Sequence, residues 1–144
     1  MKVPIKFIDS SGQETANYVD GLPVVEVLAE IGFKLPSNPD TQFTPNFKPI
    51  TALVDTGADC TTIRPDLAAG LTSIGTARAF SMLGHGYSSV HNALIKIVGF
   101  TQPVYLEVGT APLKSIQMVL GRDIISRYKL VFDAPAETFY LEGD

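Results

Sequence analysis

The residues best placed to do chemistry sit together at Asp55-Thr56-Gly57. Ala52, Leu53 and Val54 precede them and read as the end of a buried strand. The apolar run stops at Asp55. A carboxyl at the mouth of a buried strand is costly unless it is paired, hydrogen-bonded or functional. Thr56 adds a short hydroxyl, and Gly57 suits a turn that needs positive φ or close approach of another backbone. Asp-Thr-Gly is also ordinary turn chemistry, because Asp bonds its own backbone and Gly accepts unusual dihedrals. The context of the tripeptide decides between these readings.

Ala52-Leu53-Val54-Asp55-Thr56-Gly57-Ala58-Asp59 resembles the active-site signature of the retropepsin family of aspartic proteases. Val119-Leu120-Gly121-Arg122-Asp123 resembles the family's apolar-Gly-Arg-Asp/Asn segment, which opens a C-terminal helix. The separation of Asp55 from Gly121 is close to the spacing in retroviral proteases. Between them, Gly84-His85-Gly86-Tyr87 stands where the family carries a Gly-rich flap. The resemblance runs from about Val24 to Leu141 and implies a mostly β, single-domain, closed acid-protease fold with one short C-terminal helix. It divides the chain into an N-terminal extension, 1–22, and a protease domain, 23–144.

Peptide hydrolysis by carboxylates needs two of them sharing one proton. One takes a proton from the attacking water and the other donates to the carbonyl oxygen. The chain holds one Asp-Thr-Gly. The resemblance therefore implies a homodimeric aspartic endopeptidase, with Asp55 of each copy meeting on a two-fold axis. It needs no cofactor and takes a peptide as an extended strand. By the same resemblance, Thr56 bonds across the axis and Gly57 offers its carbonyl to substrate. Ala58 and Asp59 contact substrate, and Asp59 pairs with Arg122. Ala58 stands where pepsin-like enzymes carry a hydroxyl, so activity is expected at mildly rather than strongly acidic pH. Cys60 replaces a second Asp found in some retroviral enzymes, which alters subsite preference. Gly84, His85, Gly86 and Tyr87 are expected at the flap tip, over substrate, with His85 read as an exposed loop histidine in preference to a pH sensor. Retroviral proteases interleave their termini in one sheet; the residues before Pro23 and the C-terminal hairpin point to a different interface here. The competing reading is a catalytically silent domain of this fold that binds peptides or dimerises.

Composition sets the bounds. The chain has 144 residues, 45% of them apolar and 18% charged, which suits one globular domain. Net charge is −4 with scattered Lys and Arg, so there is no nucleic-acid footprint. One Cys and two His exclude an intrachain disulfide and leave a zinc site unsupported. The chain shows no signal-peptide pattern and no apolar run of membrane length, which points to the cytoplasm.

The elements that must position Asp55 follow from alternation and turn signals. Strands are expected at Lys2–Ile8, Pro23–Ile31, Pro49–Val54, Cys60–Ile63, Ala77–Leu83, Tyr87–Val98, Pro103–Val108 and Ile116–Leu120. Lys129–Phe132 and Thr138–Leu141 are expected to close as a hairpin. Short helices are expected near Pro65–Ala69, ended by Gly70, and at Ile124–Tyr128. Residues 32–48, with three prolines, read as a long surface loop. His91 reads as strand surface.

Overall fold

Alternation along the strand that delivers Asp55 sets the architecture. Ile50, Ala52 and Val54 are buried, while Thr51 and Leu53 between them are only partly so. That period of two is what a strand with one face on a core requires. The computed structural model describes the backbone of residues 1–81 and 84–144 and the side chains of residues 1–76 and 88–144. The elements are β1 (Lys2–Pro4), β2 (Lys6–Ile8), β3 (Leu22–Ile31), β4 (Lys48–Val54), β5 (Thr62–Ile63), a 3-10 turn (Pro65–Ala68), β6 (Gly75–Ser81), β7 (Gly84–Ile97), β8 (Val104–Thr110), β9 (Met118–Leu120), α1 (Arg122–Ile125), β10 (Lys129–Asp133) and β11 (Thr138–Glu142).

The larger sheet runs β2-β3-β4-β9-β5-β8-β7-β6, and a further β3–β7 pairing closes it into a barrel. Closure depends on the length of β3. One edge of β3 pairs with β4 over Val24–Ala29; the other takes β2 at Leu22–Val24 and then β7 at Val27–Ile31. Two contacts in the ring, β4–β9 and β5–β8, are parallel and the others antiparallel. Val27, Ile63, Ile95, Met118 and Leu120 fill the interior. This is the expected mostly β, closed fold with one short helix.

Lys2–Ile8 is two strands rather than one. Val3, Ile5 and Phe7 all bury, as their alternation implies, but β1 joins a separate sheet of order β1-β11-β10. Ile5 donates its N–H to the Phe139 carbonyl between the two. The closing hairpin β10–β11 forms as expected. The helix begins at Arg122 rather than Ile124, because the N–H groups of Ile124 and Ile125 both reach the Gly121 carbonyl. Residues 32–47 carry no helix or strand; Phe33 packs its ring near Phe43 and Tyr105, at centroid distances of 5.2 and 5.9 Å.

Two expectations are corrected. His91 is buried, 3% exposed, with its Nε2 3.2 Å from Ser89 Oγ. β7 is covered on both faces here, since Val90, Ala93, Leu94 and Ile95 are buried as well. The β6–β7 hairpin also pairs residues that were expected at its tip. Ser81 pairs with Gly84, Phe80 with His85, Ala79 with Gly86 and Arg78 with Tyr87. Gly84, His85 and Gly86 are therefore paired strand residues. Met82 and Leu83 lie outside the described residues.

Candidate active site

Asp55 continues the alternation of β4. It lies two residues beyond Leu53, just past the end of β4 at Val54, and is partly buried. Its N–H donates to the Leu120 carbonyl at 3.1 Å, so the turn begins while still bonded to β9. Its side chain is fixed locally: the Gly57 N–H donates to Asp55 Oδ1 at 2.8 Å. The Ala58 N–H closes the turn on the Asp55 carbonyl at 3.2 Å. Gly57 has no left-handed φ. Its missing Cβ matters instead as space, since a Cβ there would lie 3.1 Å from Asp55 Oδ1.

The start of α1 braces this turn. Arg122 Nη1 donates to the Thr56 carbonyl at 2.7 Å, and the Arg122 N–H donates to the Ala58 carbonyl at 2.9 Å. The expected ion pair between Asp59 and Arg122 is absent among the described residues. Both side chains are exposed, where an ion pair adds little, and the guanidinium is turned to the Thr56 carbonyl instead. Arg122 thus stabilises the turn through its backbone.

Behind the turn is a polar knot that sequence reasoning missed. Thr61 is 0% exposed. Its hydroxyl donates to Asp123 Oδ1 at 2.7 Å and accepts the Gly121 N–H at 3.1 Å; its own N–H donates to Asp123 Oδ2 at 2.9 Å. Gly121 sits so close to this segment that a Cβ would lie 2.5–2.8 Å from Cys60 backbone atoms. Only glycine fits such a crossing. The Asp after Gly121-Arg122 was visible in the sequence, but nothing local tied it to Thr61.

The Cys60 thiol is pushed up from its ordinary value, first by burial and then by the negative charge of Asp59. It is therefore a poor nucleophile at neutral pH. Among the described residues, no group of three or more His, Cys, Asp and Glu could hold a metal, and no helix is long and apolar enough to cross a membrane.

On the Leu53 face of β4 lies an apolar wall, also missed. Val24, Ile116 and Val119 are buried there, with Leu53 and Ala58 packed against them. Leu53 is paired across the sheet with Val24 on one side and Val119 on the other. The available signal was the position of Leu53, two residues before Asp55 in an alternating strand. The structure thus gathers Asp55, Thr56, Gly57, Ala58 and Arg122, with Asp59 exposed beside them. Gly84, His85, Gly86 and Tyr87 stand in the β6–β7 hairpin, and their side chains lie outside the described residues.

No protein-family model and no curated protein matches the chain. Solved structures do. EIAV protease in complex with an inhibitor superposes with a TM-score of 0.55 at 21% identity, covering 80% of this chain and 97% of that one. A retropepsin-like aspartic protease from Rickettsia conorii gives 0.54 at 15% identity, covering 98% and 88%. The foamy viral protease-reverse transcriptase in complex with an RNA/DNA hybrid gives 0.51 at 21% identity over 79% of this chain; the chain spans 14% of that protein's length. The chain therefore has the retropepsin-like aspartic protease fold.

Proposed function

We propose that this chain, built on that fold, is an aspartic endopeptidase that acts as a homodimer, with Asp55 of each copy forming the catalytic pair. The observation that carries the reading is the presentation of Asp55. Its carboxyl leaves the core on a turn bonded to β9 and is oriented by the Gly57 N–H, and the neighbouring Ala58 packs with Leu53 into an apolar cluster. A turn that served only to reverse the chain has no need of the Arg122 brace on Thr56.

In the reaction, one Asp55 carboxylate takes a proton from water as the water oxygen bonds to the peptide carbonyl carbon. The other, protonated, gives its proton to the carbonyl oxygen. Two carboxyls about 3 Å apart hold one proton between them, so this division of labour follows from their repulsion. The gem-diol then collapses: the second carboxyl, now ionised, takes the proton of a gem-diol hydroxyl, the carbon–nitrogen bond breaks, and the first carboxyl gives the leaving amine the proton it took from water. The wall of Val24, Leu53, Ala58 and Val119 favours apolar side chains beside the scissile bond. Thr56 locks the paired turns, Asp59 contacts the substrate backbone, and the Gly84–Tyr87 segment covers it.

The test is cleavage of a mixed peptide library from acidic to neutral pH, comparing the wild type with Asp55→Asn. Cleavage at mildly acidic pH, lost in the variant and blocked by a statine-type transition-state mimic, supports the mechanism. A profile peaking near about pH 2 contradicts the part assigned to Ala58. An inert protein that is nevertheless dimeric favours a peptide-binding or dimerisation domain.

A further inference from the structure

We propose that the free edge of β10 is a self-association surface, where a second copy of this chain adds antiparallel and joins two three-stranded sheets into one of six strands. The inference rests on the homodimer reading, because a single chain supplies one Asp55 and the site is incomplete without its copy.

The terminal sheet has the order β1-β11-β10, so β11 is bonded on both sides by its own chain. Interleaving of termini through β11 is therefore closed to this protein. The remaining edges of the sheet are β1 and β10. The β1 edge is three residues long and ends in Pro4, which has no N–H to give. The β10 edge is five residues, Lys129-Leu130-Val131-Phe132-Asp133, with no proline and an unbroken register against β11. Edge strands of this kind are ready to pair unless something blunts them.

The sequence of β10 is complementary to itself. An antiparallel pairing with Val131 on the two-fold axis sets Lys129 opposite the partner's Asp133 and Leu130 opposite the partner's Phe132. Directly opposed residues of an antiparallel pair share a face of the sheet, so each of these pairs is in reach of contact. Lys129, Val131 and Asp133 lie on one face; Leu130 and Phe132 lie on the other. Phe132 is 55% exposed in the single chain, although its ring already meets Phe139 edge-on at 4.6 Å. Its remaining surface is what the partner's Leu130 would cover. Moving the axis by one residue, to Leu130, destroys the match by opposing Lys129 with Val131. Glu142 and Lys2 are further charges on the face of Lys129, with Glu142 shared between Lys129 at 4.0 Å and Lys2 at 3.9 Å.

The experiment is a charge exchange on the full-length protein, read by sedimentation equilibrium. Lys129→Glu alone sets a carboxylate against the partner's Asp133, and Asp133→Lys alone places two ammonium groups together. Each single variant is expected to weaken self-association about tenfold. An equimolar mixture of the two, and the double variant in one chain, are expected to restore it. Thermal unfolding of each variant checks that the chain remains folded, and Val131→Lys, which sets like charges on the axis, serves as a second disruptive variant. Single variants that associate like the wild type, or a mixture that stays dissociated, overturn the interface, as does a wild type that is monomeric at every concentration. Peptide cleavage in the same samples separates this proposal from the enzymatic one. Association that obeys the charge rules without cleavage retains the interface and removes the endopeptidase. Cleavage indifferent to the charges does the reverse.

Discussion

Replacing Thr61 by valine tests whether the polar knot, rather than packing alone, holds the Asp55 turn to the C-terminal helix. Valine matches threonine in shape but loses two hydrogen bonds. The bond from the hydroxyl to Asp123 involves a carboxylate, worth about 1.5–3 kcal/mol. The bond from the Gly121 N–H is buried, and its loss strands a donor at a further cost of about 1–3 kcal/mol. The expected loss is about 3–5 kcal/mol, a large share of the roughly 5–15 kcal/mol of a whole domain. Thr61→Ser keeps both bonds and removes one methyl, for about 1 kcal/mol. At this chain length, 1 kcal/mol corresponds to about 3 °C in the melting temperature. The valine variant should therefore melt about 10 °C or more below the wild type, and the serine variant about 3 °C below. Because self-association adds to apparent stability, all three are compared at one protomer concentration. A valine variant as stable as the serine variant would show that the hydroxyl is not what secures Thr61, and the reasoning fails.

Gly121→Ala should be more damaging than an ordinary surface glycine change. Its Cβ would meet Cys60 backbone at 2.5–2.8 Å, so the expected result is a loss above about 3 kcal/mol, seen as low soluble yield or a collapsed melting transition. Arg122→Ala removes an exposed bond to the Thr56 carbonyl and should cost less than about 1 kcal/mol of stability. Peptide cleavage, which depends on the placement of the turn, should fall more than about tenfold; equal and small losses in both would refute the bracing role. Cys60 should react with iodoacetamide more slowly than a free thiol near neutral pH, because its raised pKa leaves less thiolate. Asp59→Asn should speed that reaction only in part, since burial is the larger cause; a reaction as fast as a free thiol's in the unchanged protein would contradict the assignment.

Much of this molecule was legible because its signals are local. The abrupt end of an apolar strand at Asp55 and the turn chemistry of Thr56 and Gly57 depend on neighbours within a few residues. So did the alternation that placed Val3, Ile5 and Phe7 inside and the hairpin that became β10 and β11. Other features depend on pairings between distant segments, which periodicity does not encode. Alternation alone did not divide Lys2–Ile8 between two sheets; β11 did, by taking β1 and leaving β2 to β3. The strand holding His91 reads as largely buried on both faces, yet His91 itself reads as surface; in the fold it is buried with Val90 and Ala93. Asp59 and Arg122 have opposite charges and matched motifs, but the guanidinium found a carbonyl instead. Thr61 and Asp123 are 62 residues apart, and only closure of the barrel brings the hydroxyl to the carboxylate. The sequence by itself determined which carboxyl is displayed and on what turn, because strand and turn propensities act over a few residues. The tertiary structure alone decided what braces that turn and which apolar cluster Leu53 and Ala58 pack into, because both are assembled from strands that meet only when the sheet closes.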